Sequence, residues 1–346
     1  MQKLIYYITD HGRGHATRSV AIIRKLQDFD FEIIIRNSNA IDFLHKSLPK
    51  IKIKSGLTDV GPIINPDGIS INYEESISKI SDWINKLDDI SKEESKFLEK
   101  ENPDLIISDV SPMPLIAANL KNIPSMIISN FSWYDVLTFL PKELKIKLKE
   151  YYNFTNLAIQ LPLGTKMEHF KKKYKVNLIA RSPTNNPESI RNNFSIEKSF
   201  PCVLFALGGS KNIISFNSDP KIQIILLNTK LNNLIPSKDL SDTVEGQNLV
   251  SVSNLVICKC GYGLISECLS NGIPFFYLVD DSHPEQLAIH NELMKKGLNN
   301  RISFNEINEL NLTSNFIKNL PSVKNEPIDL DNTINYILKF LKDRSH

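Results

Sequence analysis

Tyr6-Tyr7-Ile8-Thr9-Asp10-His11-Gly12-Arg13-Gly14-His15-Ala16-Thr17-Arg18 decides how this chain folds. An apolar strand runs into a glycine-spaced loop with two histidines, and only then does the pattern turn helical. Gly12 and Gly14 let the backbone turn tightly and approach a ligand, while the helix that follows aims its free N–H groups back at that ligand. A binding site is expected here, with His11, Gly12, Arg13 and Gly14 in the loop and His15 opening the helix. A dinucleotide fingerprint needs a third glycine three residues after the second, where this chain has Thr17. The second strand, Glu32-Ile33-Ile34-Ile35-Arg36, ends in a base where a ribose calls for an acid. Arg36 suits only a 2′-phosphate, and without the third glycine no nicotinamide cofactor is expected.

Outward from that stretch the first half alternates strands and helices. Residues 4–8, 32–36, 51–54, 105–108, 125–128 and 158–161 read as short buried strands. Tyr73, Ile77, Ile80, Ile84 and Leu87 repeat at helical spacing and predict a long amphipathic helix. Such alternation predicts a parallel sheet with helices on both faces. Residues 181–188 lose periodicity and collect turn formers, which places a linker at 181–200 between domains at 1–180 and 201–346. Strands follow at 202–207, 222–227, 255–258 and 275–279, and Leu330, Ile334, Ile337, Leu338 and Leu341 mark a closing helix at 329–343 with Asp329 or Asp331 near its N-cap. The fold class is α/β, two doubly wound domains in tandem.

A length of 346 residues, 41% apolar and 23% charged, describes an ordinary globular chain with room for two cores. A formal charge of +2 without a basic-aromatic repeat gives no reason to expect nucleic acid. No apolar run is long enough to span a bilayer, and the first residues enter a strand rather than a charged leader, so the cytoplasm is expected. The four cysteines, Cys202, Cys258, Cys260 and Cys268, read as reduced buried thiols, their spacing fitting no common zinc finger or ribbon. Between Pro141 and Lys175, lysines crowd around Leu144, Ile146 and Leu148. A solvated face explains them, and an anionic membrane surface is the alternative partner, which would bring the chain to the membrane's inner face.

Three loops that follow strands of the second domain carry ligand chemistry, where open α/β sheets place their sites. Gly208-Gly209-Ser210 offers backbone N–H groups and a hydroxyl to an anion. Lys259-Cys260-Gly261-Tyr262-Gly263-Leu264-Ile265-Ser266-Glu267 orders strand, glycine loop and helix, so that a phosphate meets the helix N-terminus and the Glu267 carboxylate accepts ribose hydroxyls. In Asp280-Asp281-Ser282-His283-Pro284-Glu285-Gln286, His283, Glu285 and Gln286 offer donors and acceptors to sugar hydroxyls. Asp280 and Asp281 suggest a divalent cation, but the pair lacks further oxygen ligands; capping of the next helix by Asp281 or Ser282 is the other reading.

With these residues assembled, the chain resembles the GT-B glycosyltransferases, in particular the inverting peptidoglycan N-acetylglucosaminyltransferase and the plant-type UDP-glycosyltransferases. Gly12 through Thr17 resembles the N-terminal glycine loop with its histidine, Gly208-Gly209-Ser210 the diphosphate loop, and Gly261-Tyr262-Gly263 through Ser266-Glu267 the donor-nucleotide motif. The opening segment and Gly-Tyr-Gly also resemble the glycosyltransferase-like half of arabinokinase-type sugar kinases. The resemblance implies two Rossmann-like domains facing a cleft, the closing helix packing back on the first domain, and a nucleotide-sugar, UDP-linked by default, as donor. A saccharide, a lipid-linked molecule or a small molecule would be the acceptor, held by loops at 56–70 and 130–140 that include Phe131, Trp133 and Tyr134. It further implies an inverting displacement with His15 as general base, Asp109 orienting it, His11 as the rival base, and neither cofactor nor metal. UDP-GlcNAc 2-epimerases share this architecture, so epimerisation is the competing activity, and non-catalytic nucleotide-sugar binding is the third reading.

Overall fold

The computed structural model describes residues 1–66, 70–208, 214–232 and 234–344. The chain divides into two compact units, one of Met1–Ile63, Ile71–Ile179 and Asp329–His346, the other of Ile64–Ser70 and Ala180–Ile328.

In the first unit β1 (Gln2–Ile8), α1 (Arg13–Leu26), β2 (Phe31–Arg36), α2 (Ile41–Ser47), β3 (Lys52–Lys54), α3 (Tyr73–Glu101), β4 (Leu105–Asp109), α4 (Met113–Leu120), β5 (Ser125–Ser129), α5 (Trp133–Val136), α6 (Lys142–Tyr152), β6 (Leu157–Gln160) and β7 (Lys173–Lys175) follow one another. The strands form one parallel sheet in the order β3-β2-β1-β4-β5-β6-β7. Every residue of β4 and β5 is buried, which is why these strands read as apolar runs rather than alternating patterns. The Asn72 side chain caps α3 by accepting the Glu75 N–H, and Asn102 ends it in the left-handed conformation at φ 47°. The buried stripe of α3, with Ile80, Trp83, Ile84, Leu87 and Leu98, packs into one cluster with Ile106, Ile127 and Ala158 of the sheet. Arg36 is committed to this structure and not to a cofactor, since it grips both oxygens of the buried Glu94 carboxylate at 2.8 and 2.6 Å, and Tyr7 donates to the same group at 2.7 Å.

The second unit contains α7 (Pro187–Asn193), β8 (Cys202–Ala206), β9 (Asn217–Ser218), β10 (Gln223–Leu226), β11 (Lys238–Asp239), α8 (Gly246–Val252), β12 (Leu255–Lys259), α9 (Tyr262–Asn271), β13 (Phe275–Leu278), α10 (Pro284–Lys295), α11 (Phe304–Asn308), β14 (Asn311–Leu312) and α12 (Ser314–Lys318). Its main sheet is parallel in the order β11-β10-β8-β12-β13, and β14 pairs with β9. Val203, Phe205, Leu255 and Ile257 of the two central strands join its core.

Two boundaries differ from the sequence reading. The expected linker at 181–200 lies within the second unit and carries α7, because the Asn186 side chain accepts the Glu188 N–H and Pro187 takes the first helical position. The closing helix, α13 (Leu330–Lys342), counted with the domain at 201–346 in the sequence reading, groups with the first unit, in line with the expectation that it packs back on the first domain. It packs on α1, with a Lys25–Asp331 ion pair of 3.2 Å, and Asp329 at its N-cap accepts the Asn177 N–H at 2.8 Å.

Candidate active site

In the first sheet the strand order reverses between β1 and β4, the place where open α/β sheets bind ligands beyond the strand ends. Ile8, the last residue of β1, pairs with Asp109, the last of β4. Gly12 caps α1 at φ 80°, a conformation that a side chain would strain. This turn delivers His15 to Asp109: His15 Nδ1 lies 3.3 Å from Asp109 Oδ1, with 4% and 0% of the two residues exposed.

Arg18 stands one helical turn after His15 and so faces the same way. Its guanidinium donates to both oxygens of Asp109, to Asn130 Oδ1 and, at 3.0 Å, to Ser129 Oγ, and Nη2 lies 2.6 Å from His15 Nδ1. Burial alone would raise the Asp109 carboxyl; the neighbouring Arg18 charge and His15 outweigh it and hold the carboxyl below its ordinary value. Asp109 is therefore an anion, paired in the interior.

A second buried acid supports the loop. Asp59 accepts the Thr9 hydroxyl at 2.7 Å, the Asp10 N–H at 3.0 Å and the Trp133 indole N–H at 2.9 Å. Burial nevertheless pushes its carboxyl up to about 6. Trp133 meets His11 and Phe131 edge-on at 5.6 and 5.3 Å, and Phe131 meets His15 edge-on at 5.3 Å. Phe131 and Trp133 are almost fully buried, so the two act as the wall behind the histidines and not as an exposed platform for a sugar ring. Asp10 ties the loop outward, accepting the N–H groups of Ser38, Asn39 and Thr58 at 2.7, 2.9 and 2.7 Å.

In the second unit the order reverses between β8 and β12. Gly208 follows β8 at φ 61°, and the Lys259 ammonium at the end of β12 lies 3.4 Å from where a Cβ on Gly208 would stand. Gly209, Ser210 and the Arg13 side chain lie outside the described residues. Gly261 caps α9 through backbone geometry alone, Tyr262 and Gly263 are buried beneath it, and Ser266 Oγ donates to the Gly263 carbonyl at 2.8 Å. Glu267 is 1% exposed and accepts Arg181 Nε at 2.8 Å. In the third loop Gln286 Oε1 accepts the Asp280 N–H at 3.0 Å, while Glu285 lies in the first turn of α10. Both acids of this loop have protein partners: Asp281 is held by Arg301 at 2.8 and 2.7 Å, and Asp280 Oδ1 accepts the Ser282 N–H and hydroxyl at 2.9 and 2.6 Å. Neither Asp281 nor Ser282 caps α10; His283 occupies the N-cap, without a side-chain capping bond.

Residues 2–172 match the family described as glycosyl transferase family 1. The L-arabinokinase of Arabidopsis thaliana is 26% identical over 304 residues, 83% of this chain and 29% of that protein, so the chain spans under a third of its curated relative. Among solved structures, the glycosyltransferase VinC in complex with DTDP superposes over 99% of this chain and 100% of its own at 10% identity and a TM-score of 0.59. The spinosyn rhamnosyltransferase SpnG complexed with thymidine diphosphate does so over 89% and 90% at 13% identity and a TM-score of 0.57. The chain has the GT-B fold. Within this GT-B chain the sequence-predicted His15 and Asp109 come together, while Glu267 meets Arg181 inside the second unit. Sequence reasoning missed Arg18, Asn130 and Asp59. Arg18 stood in the opening stretch, and its spacing from His15 was the signal that would have found it.

Of the lysine-rich segment in this GT-B chain, Leu144 and Leu148 are buried in the core and Ile146 is 49% exposed, while the ammonium groups of Lys145 and Lys149 sit over the Tyr134 ring at 5.3 and 5.7 Å. Among the described residues no helix is long and apolar enough to cross a membrane.

Proposed function

We propose that the protein transfers a sugar from a nucleoside diphosphate sugar to an acceptor hydroxyl with inversion. The observation that carries this reading is the buried His15–Asp109 pair at the strand-order reversal of the glycosyl transferase family 1 domain. An imidazole of the opening loop takes the acceptor's proton as its oxygen attacks the anomeric carbon. His15 is the one the family resemblance names, and His11 is the other. The bond from the anomeric carbon to the diphosphate breaks, and the leaving charge is met by the Lys259 ammonium and the N-terminus of α9. Both neighbours named above carry thymidine diphosphate, which supports a pyrimidine nucleotide, uridine or thymidine. Likeness to an arabinokinase supports a saccharide as acceptor.

Thermal stabilisation by a panel of nucleoside diphosphates and their sugars tests the reading. One nucleotide series is expected to raise the melting temperature, and its sugar form is expected to be consumed when saccharides are supplied. Absence of any shift across the panel would sink the proposal.

A further inference from the structure

Val110 follows Asp109 directly and stands at φ 76°, the only β-branched residue at positive φ among the described residues. A branched Cβ crowds the backbone in that region, so the conformation persists only where the surroundings hold it. Val110 is fully buried, and its carbonyl accepts the Tyr152 hydroxyl at 2.6 Å. The oxygen of that hydroxyl in turn accepts the backbone N–H of Trp133 at 3.0 Å. This N–H opens α5 and, as one of the first in a helix, has no partner within it. Burial lifts the Tyr152 phenol well above its ordinary value, so the hydroxyl keeps the proton that it donates. The ring itself is buried and met edge-on by His169 and Phe170 at 5.5 and 5.6 Å.

We infer that Tyr152 is a positioning residue: its one hydroxyl ties the strained turn after Asp109 to the first peptide of α5, and so sets the Asp109 carboxylate beside His15 and the Trp133 indole behind His11. Without the hydroxyl the Val110 carbonyl and the Trp133 N–H are both left unpaired in the interior. The turn then relaxes away from positive φ, and Asp109, joined to it by one peptide bond, moves relative to the His15 Nδ1 that lies 3.3 Å away. Trp133 loses its anchor in the same step, and its indole is the group that Asp59 holds and that His11 meets. Use of these imidazoles in catalysis rests on the transferase reading above; the bridge through Tyr152 does not.

Tyr152→Phe keeps the ring and deletes the hydroxyl. The chain has two tryptophans, so the indole N–H signal that survives Trp83→Phe belongs to Trp133, and Trp83 on α3 is the internal reference. The His15 ring signals are those lost in His15→Gln. In Tyr152→Phe the Trp133 and His15 signals are expected to move while that of Trp83 stays. Unmoved Trp133 and His15 signals, or equal shifts of both indoles, would make Tyr152 a purely structural core residue and overturn the inference. The wild type checks the bridge without any variant: its Tyr152 hydroxyl proton is expected to exchange with water slowly enough to be observed, and fast exchange would overturn it. Turnover adds a second arm, with kcat expected to fall roughly 10–100-fold in Tyr152→Phe and KM to stay within about twofold, the pattern of a displaced geometry rather than lost binding. In a Val110→Gly background, where positive φ meets no resistance, the same change is expected to cost less than about threefold in kcat. Equal losses in both backgrounds would show that the hydroxyl does not act through this turn. Absence of turnover with every donor would count against the transferase reading and leave the spectroscopic result standing.

Discussion

Arg18 on α1 and Asp109 at the end of β4 form an ion pair shut off from solvent, with side-chain exposures of 1% and 0%. The guanidinium is further satisfied by Ser129 and Asn130, so the pair is a hydrogen-bonded network and not an isolated contact. Removing one partner of such a pair leaves an uncompensated charge in the interior and costs about 3–5 kcal/mol. Asp109→Asn is therefore expected to lower the unfolding free energy by about that amount in chemical denaturation. The double variant Arg18→Met with Asp109→Leu is expected to recover more than half of the loss, since buried pairs are often replaced by apolar residues at little net cost. A loss below about 1 kcal/mol for Asp109→Asn would mean that water reaches the pair.

The same pair explains why part of the site was legible in the sequence and part was not. The glycine spacing of residues 12–14 signals a turn, and the apolar runs that became β1 and β4 set Asp109 beside the loop. Arg18 reads as an ordinary helical charge, because its counter-charge lies 91 positions away and only the strand order brings the two together. Asp59 is hidden for the same reason, its partners Thr9 and Trp133 being 50 and 74 positions distant. The edge strands β7, β9, β11 and β14 have two or three residues each and no apolar pattern, so periodicity cannot find them. The closing helix was legible as amphipathic, yet its partner surface on α1 is set by the fold and not by its own sequence.

Asp59 should give the protein a distinct dependence on pH. Its folded value of about 6 lies above the ordinary 3.8. A raised value means that the folded state holds the proton more tightly, so the contribution is full below about pH 4, declines as pH rises through about 6, and is flat beyond. Two units correspond to roughly 3 kcal/mol at most. Asp109, with its lowered value, works in the opposite direction in acid, so the wild type must be compared with Asp59→Asn across pH 4–7. The difference in unfolding free energy is expected to shift against the wild type as pH rises over that window; a difference independent of pH would show that Asp59 titrates normally.

The cysteines should be silent in the native protein. All four are buried and unpaired with one another, and burial pushes the Cys202 and Cys258 thiols up to about 12, with Cys260 and Cys268 also raised well above the ordinary value. Thiolate is the reactive form, so a disulfide reagent at neutral pH is expected to modify none of them until the chain unfolds, and then four. Rapid reaction of a single thiol in the native state would place that cysteine at the surface.

Lys259 gives the most direct test of where a donor would bind. It ends β12 at the reversal of the second sheet, its ammonium lies against Gly208, and α9 begins three residues later. A cation, a glycine that keeps the backbone open and a helix N-terminus converge on one spot, the combination that receives a diphosphate. Hydrogen bonds to charged groups are worth about 1.5–3 kcal/mol, so Lys259→Met, which keeps the aliphatic stem, is expected to weaken nucleoside diphosphate binding by roughly 10–150-fold. Melting of the ligand-free protein should change little, because the side chain is only half-buried at a strand end. Binding should also lose part of its salt dependence, since one charge has been removed from the contact. Calorimetry of both proteins at two ionic strengths checks each part. Equal affinity in the variant would move the diphosphate away from this loop, and with it the donor site proposed for the second unit.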